Sequence, residues 1–256
     1  MKSRNIYRMR HLVPFRIYES QTTSGLSKKQ EALLNFYSQG TWSVNPTTGL
    51  VDIRGNFEIL KIIKIFPIKF GNVTGDFYCN SIQLQSLKGA PQKVGGCFGC
   101  SRNKLQSLAG APQEVDGFFN CSHNELQSLE GAPQEVGGDF FCSSNELQSL
   151  VGAPKEINGM FLCDKFRLDK GEWNMDGWVK ILQTGSEGAK KLILTLPYFD
   201  SNFWNSKISE NPESTNLQLS GFWDDLPDEF RNSIRIPSNL EEDFENLLEL
   251  VRAGIM

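Results

Sequence analysis

Residues 117–137 read GFFNCSHNELQSLEGAPQEVG, and residues 138–158 read GDFFCSSNELQSLVGAPKEIN. The two stretches agree at 14 of 21 positions, so a 21-residue unit repeats here. Moving outward, the same step links Cys79, Cys100, Cys121, Cys142 and Cys163, and also Phe77, Phe98, Phe119, Phe140 and Phe161. Leu84, Leu105, Leu126, Leu147 and Leu168 keep it, as do Gly75, Gly96, Gly117, Gly138 and Gly159. Pro91, Pro112, Pro133 and Pro154 follow, with Val94, Val115, Val136 and Ile157. A fixed period of this length marks a solenoid, in which each unit buries its apolar side only against its neighbours.

The unit G-x-F-x-C-S-x-N-x-L-x-S-L-x-G-A-P-x-x-V-x resembles the short, bacterial-type leucine-rich repeat, whose core is L-x-L-x-x-N-x-L. Phe140 and Cys142 stand at the first two leucine positions, Asn145 at the asparagine and Leu147 at the last leucine. The resemblance covers roughly residues 75–168. It implies a β-rich solenoid of about five repeats with parallel strands, similar to leucine-rich-repeat proteins of bacteria and their phages.

Alternation on a strand points Phe and Cys of F-x-C to one side, and both types are commonly buried. Each stacked Phe then contributes roughly 2–3 kcal/mol through burial. Asn103, Asn124 and Asn145 sit where side-chain amides can join backbone groups of adjacent turns into a ladder, because an interior turn cannot leave them unpaired. Ile82 and Phe166 replace the asparagine at the two ends, as capping units would. The G-A-P segment predicts extended or 3₁₀ structure on the convex side, since proline disfavours a full helix there.

The flanks read as caps. Ser27-Lys28-Lys29-Gln30 has the form of a capping box, with Leu33, Leu34 and Tyr37 on one helical face and Gly40 as the expected stop. Gly55-Asn56-Phe57 echoes Gly75-Asp76-Phe77, so one degenerate unit is expected before the regular ones. The expected organisation is a basic arm over 1–25, an N-terminal helical cap with the degenerate repeat over 26–74, the solenoid over 75–170 and a mainly α-helical region over 171–256. In that last region short helices are expected over 173–182 and 189–196, and Asp200 to Ser220 reads as a loop. A final helix is expected near Ser238, with Glu241 completing a second box and Leu240, Phe244, Leu247, Leu248 and Val251 packing on their own domain.

The 256 residues carry 39% apolar and 22% charged side chains and a net charge of -4, the profile of an ordinary folded chain. Lys2, Arg4, Arg8, Arg10 and Arg16 make the arm basic, but the chain as a whole is not a polyanion binder, so a nucleic-acid partner is not expected. No apolar run reaches the ~18 residues of a membrane span, and Leu12 to Phe15 is too short for a secretory core. No membrane partner is expected, and the place expected is the cytoplasm, the host's if the protein is phage-encoded.

Chemistry-bearing motifs are weak. Cys97 and Cys100 form C-x-x-C, but an odd spacing on a strand sends the two side chains to opposite faces. The five periodic cysteines read as small buried hydrophobes. Ubiquitin-ligase effectors with leucine-rich repeats carry a Cys-x-Asp nucleophile motif; Cys163-Asp164 departs from it and lies in the repeat column. Residues 171–256 hold no Cys and no His. No catalytic residue, metal or cofactor is expected.

The candidate site is the strand face expected to be concave. Asp76, Tyr78, Phe118, Asn120, Asp139, Phe141, Met160 and Leu162 point outward there, with Arg102, His123 and Lys165 on the rim. An apolar stripe rimmed by charge suits a protein interface. The expected function is non-catalytic binding of a protein partner, as a phage or bacterial protein that inhibits or redirects a host protein. The alternatives are the substrate-recognition part of an effector-type enzyme such as a ubiquitin-ligase-like protein, and a phage structural component. A further possibility is that the arm or the C-terminal region folds over this face.

Overall fold

The computed structural model describes residues 24–221, 223–238 and 240–253. The basic arm therefore lies outside the described residues, apart from its last two positions. Helix α1 (Lys28–Tyr37) opens with the expected capping box: Ser27 Oγ accepts from Gln30 N, and Gln30 Oε1 accepts from Ser27 N at 2.9 Å. The helix stops at Tyr37, and Gly40 is no helix stop. It lies in β1 (Ser38–Val44), opposite Gly55 of β2 (Val51–Glu58), where a side chain would run into Arg54 O.

Each later turn contributes two strand segments. The first column holds β4 (Phe77–Tyr78), β6 (Phe98–Gly99), β8 (Phe119–Asn120), β10 (Phe140–Phe141) and β12 (Phe161–Leu162), all parallel. The second holds β3 (Phe70–Val73), β5 (Lys93–Val94), β7 (Glu114–Val115), β9 (Glu135–Val136) and β11 (Glu156–Ile157), also parallel. β2 joins both columns, pairing with β3 through Val51 and Ile53 and with β4 through Phe57 and Glu58. This is a β-solenoid of about five turns, with helices at both ends. The G-A-P segment, expected to be extended or 3₁₀, turns at its glycine and leads into the extended second column.

Phenylalanines form the core's spine. Phe77, Phe98, Phe119, Phe140 and Phe161 are fully buried, with successive ring centroids 5.3–5.6 Å apart and planes within 15°. Parallel strands about 4.8 Å apart place like residues over one another, so the rings settle into offset stacks. Phe57 adds a ring at the N-terminal end, 5.4 Å from Phe77, with Tyr37 of α1 edge-on at 6.4 Å. The degenerate unit thus sits in register with the regular ones.

The asparagine ladder is present. Asn124 Nδ2 donates to Cys100 O at 3.1 Å and Cys121 O at 2.9 Å, while its Oδ1 accepts from Leu105 N at 3.0 Å. Asn103 and Asn145 repeat the pattern one turn away on either side. Ile82 and Phe166, which replace the amide, are buried instead. The residue before each asparagine, Arg102, His123 or Ser144, adopts φ 56°, a left-handed bend that lets the chain leave the strand.

Beyond β13 (Arg167–Leu168), which pairs antiparallel with β12, the chain is helical: α2 (Met175–Thr184), α3 (Glu187–Ile193), α4 (Ser201–Glu210), α5 (Pro212–Ser220), α6 (Asp228–Arg231) and α7 (Glu241–Arg252). Trp173 closes the spine, its ring 4.4 Å from Phe161 and its Nε1 donating to Pro154 O at 3.0 Å. Two expectations fail here. Asp200 to Ser220 is two helices: Asp200 caps α4 through Asn202 N, and Asn211 caps α5 through Ser214 N, with Trp204 and Ile208 buried one turn apart. Ser238 forms no box either. Leu240 N donates to Pro237 O in a turn, and α7 begins after it with Glu241 as its first residue and no side-chain cap. The apolar stripe of α7 packs inside the region as expected, with Phe244 and Leu248 buried and Trp223 edge-on to Phe244 at 4.9 Å.

Candidate interaction face

The backbone ladder continues through the bend between the two columns. Asp116 N donates to Val94 O at 3.0 Å and Gly117 N to Gly96 O at 2.9 Å; farther along, Phe98 N donates to Phe118 O at 2.9 Å. Residues 116 and 117 bend the chain, and their consecutive N–H groups both donate to the preceding turn, so each turn rounds a corner from the second column into the first. Val115, Phe119 and Cys121 point inward and are buried, while Glu114, Asp116, Phe118 and Asn120 point outward.

All eight strand residues of the expected site lie on this outward side, half-buried among one another. Gly99 separates Tyr78 from Asn120 in the column, and a Cβ on it would meet Tyr78 Cδ1 at 2.7 Å. Lacking one, Gly99 lets the Tyr78 ring lean across it to within 6.3 Å of Phe118. Phe118 meets Phe141 edge-on at 6.1 Å, and Phe141 is in register with Leu162. A diagonal of three aromatic rings ending on Leu162 crosses the face, with Met160 beside it. Tyr78 also shares its surroundings with Asp76 and Cys97. Partial burial, then these two neighbours, push its hydroxyl pKa up to about 12.

The polar members of the expected site divide into two kinds. Asp76 Oδ1 accepts from Cys97 N at 2.8 Å, Asp139 Oδ1 from Met160 N at 2.9 Å, and Asn120 Oδ1 from Ser122 N at 3.0 Å. These three staple the strand starts and turns, with one carboxylate oxygen of each aspartate committed to the fold. Arg102, His123 and Lys165 are exposed at the end of the strands, beyond the stripe.

Sequence reasoning missed an acidic row on the second column. Glu114, Glu135 and Glu156 pair in parallel register on the outward side of the second column. Lys93 forms an ion pair with Glu114 at 2.5 Å; among the described residues neither Glu135 nor Glu156 has an ion-pair partner. A hollow of about 410 Å³ lies over this row, bounded also by Asp116, Gly137 and Asn158. The row occupies a strand column that follows each proline, where the sequence offered only an extended or 3₁₀ path.

The five repeat-column cysteines are buried, and desolvation raises each of their pKa values. Cys97 alone of the six is partly accessible, so the C-x-x-C pair is split between outside and inside. Among the described residues no group of three His, Cys, Asp or Glu side chains could hold a metal ion, and no helix is long and apolar enough to cross a membrane.

The described C-terminal helices contact the end of the solenoid through Trp173 and through Thr195 Oγ1, which accepts from Leu150 N at 2.7 Å. None of their ring contacts or hydrogen bonds reaches Tyr78, Phe118 or Phe141. Fold and face together define a parallel-strand repeat solenoid with an aromatic outer strip. Compared with protein-family models, with curated proteins and with solved structures, the chain matches none.

Proposed function

We propose that this protein is a non-catalytic recognition module that binds a protein partner through the outward strand face of its solenoid. The observation that carries the reading is the half-exposed diagonal Tyr78–Phe118–Phe141, continued by Leu162, whose rings pair with one another along the strand face. An aromatic strip of this length on a rigid strand array is the composition of an interface core. Arg102, His123 and Lys165 form its charged rim. The repeat unit supports a kinship with leucine-rich-repeat proteins, and in that setting the module acts in the cytoplasm, as a bacterial or phage protein that inhibits or redirects a host protein.

The test is capture from bacterial lysate with wild type beside Phe118→Asp/Phe141→Asp, both first shown to be folded by circular dichroism. A partner held by wild type and lost by the folded double variant is the expected result. Retention of the same partner by the variant would place the contact elsewhere and overturn the reading.

A further inference from the structure

We infer that the free edge of β1 (Ser38–Val44), at the N-terminal end of the sheet, pairs with a second copy of this chain, antiparallel and about a two-fold axis at Thr41. The contact is separate from the aromatic strip and does not depend on what the strip binds.

Only half of the β1 backbone is used within the chain. In β2, Val51 N donates to Lys69 O, while Ile53 O and Gly55 O accept from Thr74 N and Gly75 N, so these residues turn their backbone groups toward the next turn. Asp52, Arg54 and Asn56 therefore turn theirs toward β1, where they meet Ser43, Thr41 and Gln39. The hairpin keeps the same alternation, since Asn45 N donates to Leu50 O at 2.8 Å. Gly40 and Trp42 point their N–H and C=O the other way, off the edge of the sheet, and among the described residues these groups have no hydrogen-bond partner.

Sheet edges are ordinarily guarded by shortness, charge, proline or a bulge. The edges at β11 and β13 are two residues each and carry exposed Glu156 and Arg167. β1 has seven residues, no charge and no proline, and its register with β2 is unbroken. Nothing along it repels a copy of itself. Its unpaired groups also lie symmetrically, because Gly40 and Trp42 flank Thr41, the middle of the strand. An antiparallel copy centred there sets Gly40 opposite Trp42 in both directions, and the residues of each such pair exchange both N–H···O bonds. Thr41 then faces Thr41 of the other copy. One patch serves both sides, so the contact closes at a dimer. The bonds run in the plane of the sheet and side chains stand out of it, which leaves the Tyr78–Phe118–Phe141 strip of each copy free.

Sedimentation of the full chain across the micromolar range tests this, with each variant first shown to be folded by circular dichroism. Wild type is expected to reach twice the chain mass and go no further. Thr41→Lys sets like charges opposite each other at the axis, with Arg54 beside them, and is expected to weaken pairing about tenfold or more. Mixing Thr41→Lys with Thr41→Glu is expected to restore the pair. Gln148→Lys adds the same charge at an exposed position in the last regular turn and is expected to change nothing. Should Thr41→Lys fail to fold, hydrogen exchange on wild type decides: the Gly40 and Trp42 amides are expected to be protected when concentrated and to exchange freely on dilution. Monomeric wild type, amides that exchange at the same rate at every concentration, or a dimer that survives in folded Thr41→Lys would each overturn the inference. So would a mixture that stays monomeric, or a mass that keeps growing with concentration, the mark of head-to-tail stacking.

Discussion

At the residue scale the protein shows how one type can serve two environments. Cys79, Cys100, Cys121 and Cys142 are wholly inside the core and behave as small apolar side chains; Cys97, on the same chain three residues from Cys100, faces outward. The thiolate is the reactive form, and burial disfavours it. A thiol reagent added to the native protein at neutral pH is therefore expected to modify Cys97 rapidly, and all 6 cysteines only after unfolding. Rapid reaction of more than one thiol in the native state would contradict the packing. The same shifts couple stability to pH. A thiol with its folded pKa raised above the unfolded value of about 8.5 remains protonated in the native state while the unfolded chain loses its proton. That contribution is fully present below about pH 8.5 and is lost as pH rises above it. The urea midpoint is expected to fall between pH 8 and pH 10, and to fall less in Cys121→Ala.

At the element scale the unit is a single turn of the solenoid, and its corners are set by backbone requirements. Gly131, in the turn before Ala132-Pro133, has φ +88°, and a Cβ there would lie 2.6 Å from Ala109 N and Leu108 C. Gly171, after the last repeat, has a similar φ of +83° with nothing within 4 Å. Comparing alanine at the two sites separates strain from crowding. Gly171→Ala is expected to cost about 1 kcal/mol from the left-handed conformation alone. Gly131→Ala should cost more, about 2–3 kcal/mol, because the neighbouring turn must also move. Equal costs, read from denaturant midpoints, would mean that the turns have room to part at this corner. The helices beyond the repeat depend on the same kind of local detail. Asp200 and Asn211 start α4 and α5 with side-chain caps, in a segment whose Ser and Asn content hides its few buried apolar positions.

At the scale of the whole molecule, stability is a matter of ends. A stack of turns leaves its last core ring open unless another structure covers it. Tyr37 and α1 cover Phe57; Trp173 and the helices behind it cover Phe161. Trp173→Ala would remove the ring stacked on Phe161 and the bond to Pro154 O together. The expected loss is about 3–5 kcal/mol in urea unfolding, the range for deleting a buried aromatic side chain. A loss below about 1 kcal/mol would show that Trp173 is not what closes the column.

Much of this was legible in the residues. The 21-residue step set the stacking of Phe on Phe, alternation put Phe and Cys inside, and Asn124 with its neighbours announced the ladder, because period and side-chain direction are local properties of a strand. The outward residues Tyr78, Phe118 and Phe141 could be named for the same reason. Their union into one diagonal was not legible: it depends on the empty side of Gly99, over which Tyr78 leans. Nor could the sequence show that the stretch after each proline forms a second strand column carrying Glu114, Glu135 and Glu156. Where the chain turns the corner between Val115 and Phe119 is decided by hydrogen bonds to residues 20 to 22 positions away, and only the tertiary structure supplies those partners.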